Sequence, residues 1–192
     1  MKAPRLVLAS GSPRRHALLA SAGVRFSAEA PDIDESLLDG EEPAAYVERL
    51  AVEKAAAVTI VPRDVILAAD TTVAVDRQIF GKPVDARDAR RMLLALSGRA
   101  HDVHTGVAVV VDGRTRTAVA TTRVTMAAYD DDIDWYVGTG EPLDKAGAYA
   151  MQGAGALLVR SISGSASNVV GLPLAVVADL LAAAGHPLSS FR

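Results

Sequence analysis

The amino-acid sequence predicts an α/β fold built on a mixed β-sheet flanked by helices, in a single domain spanning residues 1–192. Short apolar runs alternate with stretches of helical periodicity along the chain. The dipeptides Asp76-Arg77 and Asp112-Gly113 separate apolar runs, which predicts hairpins rather than a purely parallel strand order. No internal repeat or linker divides the chain.

The first elements predicted are a strand, a helix and a second strand. The run RLVLA at 5–9 is short and apolar, as expected of a buried strand. Ser12 and Pro13 suit the N-cap and the first position of a helix, which Gly23 ends. A short strand is predicted at 26–30, followed by the acidic turn PDIDES.

The second predicted helix, at 43–58, has an apolar face that contains one charged residue, Lys54. The apolar positions recur every three or four residues, at Val47, Leu50, Ala51, Ala55 and Val58. Lys54 can extend its ammonium to solvent or point it into a cleft, and the sequence leaves both alternatives open.

A buried strand is predicted at 65–75, where the run VILAADTTVAV is interrupted at its centre by Asp70-Thr71-Thr72. The turn at Asp76-Arg77 returns the chain through 78–83. The later elements are bounded by turn residues or glycine: a helix at 85–96, strands at 102–111 and 114–126, a helix near 131–137, a strand near 157–162 and a helix at 173–184.

Composition narrows the classes of protein. Cysteine is absent, which excludes disulfides, thiolate nucleophiles and zinc–cysteine sites, and makes a cytoplasmic location the simplest expectation. A net charge of -3, with both signs interspersed, argues against a duplex nucleic-acid binder. We expect no membrane span and no secretory signal, because no apolar run is long enough and the first strand begins almost at once.

Arg14 and Arg15 occupy the first turn of the first predicted helix. Cations at this end oppose the helix dipole, whereas the free N–H groups there favour an anion. Two guanidiniums at this position are explained if a small anion binds among them. The alternative is a solvated corner of the fold with two surface arginines.

Asp70 is the first candidate for chemistry, because an ionisable side chain among apolar residues needs a partner, a hydrogen bond or a metal. An aspartate that caps the local turn is the alternative. Glu35, with Asp32 and Asp34, forms a second acidic group, which alone is typical of a solvated loop. With Asp70 it could supply oxygen ligands to Mg²⁺, a cation that also binds phosphates.

Only four of the 20 basic residues are lysines. In a chain this rich in arginine, a retained lysine suggests a need for a compact ammonium, which selects Lys54, Lys82 and Lys145; chance is the alternative. Gln152 lies in the glycine-rich run GAYAMQGAGA. Its amide donates and accepts, so it could read the edge of a base, or it could belong to an ordinary surface turn.

Other polar groups are not interpreted as sites. The acidic run Asp130–Asp134 begins a predicted helix, where carboxylates favour the dipole. His101 and His104 fall on opposite faces of a predicted strand and are poor joint metal ligands. No serine-protease triad, Walker lysine loop or GxGxxG fingerprint is present.

Eight motifs follow one another along the chain: LASGSPRR, DIDE, KA at 54–55, AADTTV, GKP, LSGRAHDVHTGVAV, GEPLDKAGAYAMQG and GSASNVVGLPL. Over nearly its whole length the chain thereby resembles the Maf family of nucleoside triphosphate pyrophosphatases. Eight motifs in order are far more specific than any one of them. Ala166 departs from the family pattern, since an aromatic residue often stands there, and this bears on packing beside the base.

The resemblance implies a Maf/ITPase-like fold, with an elongated mixed sheet, helices on both sides, a deep nucleotide-binding cleft and commonly a homodimer. It also implies hydrolysis of a nucleoside triphosphate to the monophosphate and pyrophosphate, with a divalent metal cation, Mg²⁺ or Mn²⁺.

The family's functional residues correspond to Ser10, Arg14, Arg15, Glu35, Lys54, Asp70 and Lys82. Asp70 matches the proton acceptor, and we expect Glu35 and Asp70 to hold the metal. Arg14, Thr71 and Gln152 match positions associated with substrate choice. The motifs SPRR, DTT and DKAGAYAMQG resemble the branch acting on dTTP and UTP rather than the branch acting on 7-methyl-GTP.

Two functions therefore remain open. The leading hypothesis is a house-cleaning enzyme that removes excess or modified pyrimidine triphosphates. The other is a nucleotide-binding regulator of cell division, in which hydrolysis is incidental. The complete set of acidic and basic residues favours the enzyme, and a regulator would bind dTTP without turnover.

Overall fold

The computed structural model describes residues 4–59 and 61–192. Its strands are β1 (Arg5–Ala9), β2 (Ser27–Glu29), β3 (Asp64–Val75), β4 (Gln78–Phe80), β5 (Ala100–Val111), β6 (Arg114–Met126) and β7 (Val159–Ser163). Its α-helices are α1 (Pro13–Ser21), α2 (Pro43–Ala56), α3 (Ala86–Leu96), α4 (Ile133–Gly138), α5 (Ala166–Val170) and α6 (Leu174–Ala183). Within the described ranges, no helix has the length and apolar character that crossing a membrane requires.

The strands form a seven-stranded mixed sheet in the order β2-β1-β3-β5-β6-β7, with β4 paired to β3. Strand β1 runs parallel to β2 and β3, whereas β3 pairs with β4, and β6 with β7, in antiparallel fashion. The α/β class and the mixed sheet predicted from the sequence are therefore confirmed.

Both predicted hairpin turns are present. Asp76 and Arg77 have φ of 50° and 66°, and Asp112 and Gly113 have φ of 49° and 74°. Positive φ at both central residues matches the right-handed twist of the strands that such a turn joins.

Two details of the sequence prediction are wrong. Strand β3 is continuous from Asp64 to Val75 and is not interrupted at its polar triplet, because backbone pairing does not depend on side-chain polarity. Helix α5 was not predicted. The predicted N-cap position of Ser12 is confirmed, although its side chain makes no capping hydrogen bond.

The chain forms two compact units: the described residues of 1–70, 105–120 and 171–192 make the first, and residues 71–104 and 121–170 make the second. In the first unit, alternate residues of β1 face opposite sides of the sheet. Leu6 and Leu8 lie in an apolar cluster with residues of α1 and α6. Val7 and Ala9 lie in another with residues of α2. Helices therefore cover both faces of the sheet in this unit, as predicted.

The second unit has its own apolar core. Phe80 and the inner face of α3 pack there with Tyr129 and Tyr136, two tyrosines that are almost wholly buried. Asp85 caps α3 by accepting a hydrogen bond from the Asp88 N–H.

Gly106 of β5 lets α2 approach the sheet closely. A Cβ built on Gly106 would overlap the carbonyl group of Val47 in α2. The absence of a side chain at this position therefore sets how near α2, which carries Lys54, comes to the sheet.

We expect Gly106→Ala to lower the free energy of unfolding by about 1–3 kcal/mol, the usual cost of an added methyl group in a packed interior. Urea unfolding of the purified variant measures this. Gly138→Ala is the matched control, because a Cβ there meets nothing within 4 Å and alanine favours a helix. Equal stabilities of Gly106→Ala and the wild type would contradict the packing argument.

Candidate active site

The ammonium of Lys54 lies between two carboxylates of the first unit. Lys54 Nζ is 2.5 Å from Asp70 Oδ1 and 2.7 Å from Glu35 Oε1. The side chains of Lys54 and Asp70 are 9% and 10% exposed, while that of Glu35 is 50% exposed. Of the two directions that the sequence left open for Lys54, the structure shows the inward one.

Two local periodicities place this cluster. Alternation along β3 puts Ile66, Ala68 and Asp70 on one face, and the first two pack in the apolar cluster beneath α2. On α2, Lys54 is three residues after Ala51, a member of the same cluster, so both point toward the sheet. Asp70 continues the apolar face of β3 and Lys54 continues the apolar face of α2, so the two charged side chains meet between the helix and the strand.

Arg15 is a buried cation of the same unit, only 9% exposed. Its Nε donates to the Gly171 carbonyl at 2.7 Å, and its Nη1 donates to Ser10 Oγ at 3.2 Å. Burial lowers the pKa of Arg15, while the negative charge of Asp70 opposes that effect. Ser10 and Arg15, two of the predicted functional residues, are thus in direct contact, and Arg14, half-buried, precedes Arg15 on α1.

Two residues that the sequence analysis missed hold the loop that carries Glu35. The Tyr46 hydroxyl donates to the Glu35 carbonyl at 2.9 Å, and Arg49 Nη2 donates to the Ser36 carbonyl at 3.0 Å. Arg49 also makes a bidentate pair with Glu41, at 2.7 and 2.8 Å. Their spacing of three residues on α2 was a signal that they share a face.

The electrostatics of Tyr46 reflect the acidic surroundings. Burial, followed by the charges of Asp70 and Glu35, raises the pKa of Tyr46 to about 12. Tyr46 is therefore a hydrogen-bond donor at neutral pH rather than a base. Asp34 accepts from the N–H and hydroxyl of Ser36, which makes it part of the turn itself.

Three further predicted residues belong to the second unit. Thr71 follows Asp70 in β3 and is half-buried, Lys82 is exposed after β4, and Gln152 is exposed in a turn before β7. Their substrate roles remain predictions. Lys145 was singled out because lysine is rare in this chain. Its ammonium donates to the Glu141 carbonyl at 2.7 Å and pairs with Asp144 at 2.5 Å, so it stabilises a local turn.

The two histidines that were not interpreted as metal ligands, His101 and His104, make separate contacts within the fold. His101 is buried with Nε2 2.8 Å from the Tyr149 hydroxyl, and burial lowers its pKa to about 4. His104 instead contacts Thr121, on the other face of β5. In the described part of the chain, no group of three or more histidine or acidic side chains could hold a metal ion.

Glu35 and Asp70 nevertheless fit a hard divalent cation. Their carboxylate oxygens already converge on one positive charge, the Lys54 ammonium. Mg²⁺ takes oxygen ligands and commonly binds through one or two carboxylates, keeping waters and phosphate oxygens in its other positions. Two carboxylates therefore suffice for such an ion when it is bound with a phosphate.

The family model for Maf-like proteins matches residues 5–184. The chain belongs to the Maf family. It is 56% identical to the dTTP/UTP pyrophosphatase of Anaeromyxobacter dehalogenans strain 2CP-C, with 97% of each chain covered. It is 55% identical to the dTTP/UTP pyrophosphatase of Myxococcus xanthus strain DK1622, over 95% of this chain and 94% of that protein.

Among solved structures, this Maf protein is similar to a HAM1 protein from Coxiella burnetii. The TM-score is 0.45 and the sequence identity 16%, with 76% of this chain and 86% of that chain covered.

Proposed function

We propose that this Maf protein hydrolyses dTTP and UTP, and pyrimidine triphosphates with modified bases, to the nucleoside monophosphate and pyrophosphate. The observation that carries the chemistry is the buried Lys54 ammonium between Glu35 and Asp70, in the unit that also contains buried Arg15. The choice of substrates follows the relatives that are 55% and 56% identical. The house-cleaning role predicted from the sequence rests on this choice.

The cations bind the triphosphate in this proposal. Arg14 and Arg15 lie in the first turn of α1, where backbone N–H groups also favour an anion. A guanidinium matches two phosphate oxygens with a planar pair of donors. The Ser10 hydroxyl and the Gly171 carbonyl fix the Arg15 guanidinium in advance. Lys54 and Lys82 are the predicted point charges along the phosphates.

Asp70 acts as the base. It orients a water molecule toward the α-phosphorus and accepts its proton as the new P–O bond forms. The bond between the α-phosphorus and the bridging oxygen breaks, and pyrophosphate leaves with the electron pair. A divalent cation, Mg²⁺ or Mn²⁺, held by Glu35 and Asp70 would neutralise charge on the phosphates. Positioning and charge neutralisation supply most of the rate enhancement.

Several attributes remain predictions from the sequence. These are base selection by Arg14, Thr71 and Gln152, action as one domain over residues 1–192, a homodimer, a cytoplasmic location, and no duplex nucleic-acid or membrane partner. They rest on the family resemblance and on composition, and each can be tested on the purified protein or in cells.

A panel of triphosphates tests the proposed function. With Mn²⁺ or Mg²⁺ present, the protein should release pyrophosphate and monophosphate from dTTP and UTP at rates well above those for dATP, dGTP and 7-methyl-GTP. Chromatography of the nucleotide products measures this. Highest activity on 7-methyl-GTP would overturn the substrate assignment, and tight dTTP binding without turnover would support the regulator instead.

A further inference from the structure

The turn that carries Gln152 is held on both sides by a single side-chain network of the second unit. The Glu141 carboxylate accepts hydrogen bonds from the backbone N–H groups that follow Gln152, at 2.9 Å from Ala154 and 2.8 Å from Gly155. The Tyr136 hydroxyl donates to the same carboxylate at 2.9 Å. The same hydroxyl accepts from the Ala150 N–H, which precedes Gln152, at 3.1 Å.

Burial and charge make this network rigid. Tyr136 has no exposed surface and belongs to the apolar core of its unit, so its hydroxyl has a fixed position. Burial by itself would raise the pKa of Glu141, but the hydrogen bonds from Gly155, Tyr136 and Ala154 outweigh it and lower that pKa. Glu141 is therefore ionised at neutral pH, and hydrogen bonds to an ionised acceptor are about twice as strong as neutral ones.

The backbone of the turn is fitted to the carboxylate. Gly153 has a φ of +88°, in the region that favours glycine. A Cβ on Gly153 would overlap Oε2 of Glu141. The residue next to Gln152 is thus a glycine both because of its conformation and because the carboxylate needs the space.

We propose that Glu141 and Tyr136 are positioning residues for substrate selection, which hold the exposed Gln152 amide in the orientation that reads the edge of a pyrimidine base. This inference rests on the proposed function. An amide presents a donor and an acceptor that differ only in direction, so it discriminates between bases only when its backbone is fixed. Ala150, Ala154 and Gly155 have fixed N–H groups on either side of Gln152, while the amide itself remains exposed.

A matched control lies in the same core. Tyr129 is a second buried tyrosine of this unit, and its hydroxyl donates to the Leu93 carbonyl in α3 at 3.2 Å. Tyr129→Phe and Tyr136→Phe each remove one hydroxyl from the same apolar cluster. Only the second loses hydrogen bonds to the turn that carries Gln152.

The experiment measures kcat/KM for dTTP and dATP, and the ratio of the two, for wild type, Tyr136→Phe, Glu141→Gln and Tyr129→Phe. We expect Tyr136→Phe and Glu141→Gln to lower kcat/KM for dTTP roughly tenfold, the scale of one or two hydrogen bonds. The ratio of kcat/KM for dTTP to that for dATP should fall as well. The change should fall mainly on KM, because the groups that act on the phosphates remain. Tyr129→Phe should lower the melting temperature with the ratio unchanged.

A double-mutant cycle with Gln152→Ala separates positioning from general destabilisation. If Glu141 and Tyr136 act through Gln152, Tyr136→Phe should narrow the ratio in the wild-type background and leave it unchanged in the Gln152→Ala background. Tyr136→Phe keeps the aromatic ring in the core and should therefore fold, so it tests the positioning role even if Glu141→Gln fails to fold.

The outcomes distinguish the two proposals. The positioning role is overturned if folded Tyr136→Phe keeps the wild-type ratio of kcat/KM for dTTP to kcat/KM for dATP. It is also overturned if Tyr129→Phe lowers that ratio as much as Tyr136→Phe does. Either result leaves the proposed function intact. A wild type that prefers another triphosphate overturns the proposed function, and the positioning role then stands if Tyr136→Phe narrows that other preference. A wild type without turnover on any triphosphate overturns both.

Discussion

Asp70→Asn should lower kcat for dTTP by roughly a hundredfold or more, the scale expected for loss of positioned proton transfer. The substitution keeps the shape of the side chain in a residue that is only 7% exposed, so it removes charge and basicity without opening a cavity. Nucleotide binding should fall far less, because Arg14 and Arg15 remain. Stabilisation of the folded protein by dTTP, measured as a rise in melting temperature, should therefore largely persist.

Asp64 provides the control for this substitution. It lies in the same strand with 6% exposure, and it makes a bidentate pair with Arg5, at 3.0 and 2.6 Å. Asp64→Asn should reduce stability and leave turnover per folded molecule unchanged. Near wild-type hydrolysis of dTTP by folded Asp70→Asn would show that Asp70 is not the base, and Glu35 would then be the next carboxylate to test.

Lys54→Met should lower the free energy of unfolding by about 3 kcal/mol, the lower end of the cost of removing one partner of a buried ion pair. The lower end of the range applies because only Asp70 is left as a buried carboxylate without its cation. Glu35 is half exposed, so water can solvate its charge. Methionine fills the volume of the lysine stem, so the loss comes from the carboxylate left without its cation. Urea unfolding measures the change, and dTTP hydrolysis by the folded variant should fall as well.

Two comparison variants make this prediction specific. Lys82→Met, at an exposed position, should change stability by less than about 0.5 kcal/mol while weakening triphosphate hydrolysis. The double variant Lys54→Met with Asp70→Asn should recover most of the lost stability, because neither buried charge remains, but no activity. A Lys54→Met protein as stable as wild type would contradict the view that Lys54 compensates Asp70.

Much of the fold could be predicted because strands and helices follow from the spacing of apolar and turn residues along the chain. The hairpin at Asp76-Arg77 follows from turn residues between apolar runs, and the amphipathic pattern of α3 predicts that helix within one residue. The strand at 65–75 was predicted, but its supposed interruption was wrong, because polarity at Asp70 reports what the side chain meets and not whether the backbone pairs.

The members of the candidate site could be predicted from the sequence, including Glu35 and Asp70 as joint metal ligands, but the partner of Lys54 could not. Asp70 was conspicuous because a carboxylate within an apolar strand requires compensation, and Lys54 because it interrupts an apolar helix face. Nothing in the sequence indicated that Lys54 and Asp70 compensate each other, since 16 positions separate them and neither period relates a helix to a strand.

What the sequence by itself determined is therefore most of the strands and helices, which apolar positions face the core, and the family to which the motifs belong. Tertiary structure alone decided which polar groups meet: Lys54 with Glu35 and Asp70, Arg15 with Ser10, and Glu141 with the turn around Gln152. The physical reason is range. The apolar periodicity of a strand or helix is a property of neighbouring residues, whereas a hydrogen bond requires two groups within about 3 Å, and only the packing of whole elements brings distant positions that close.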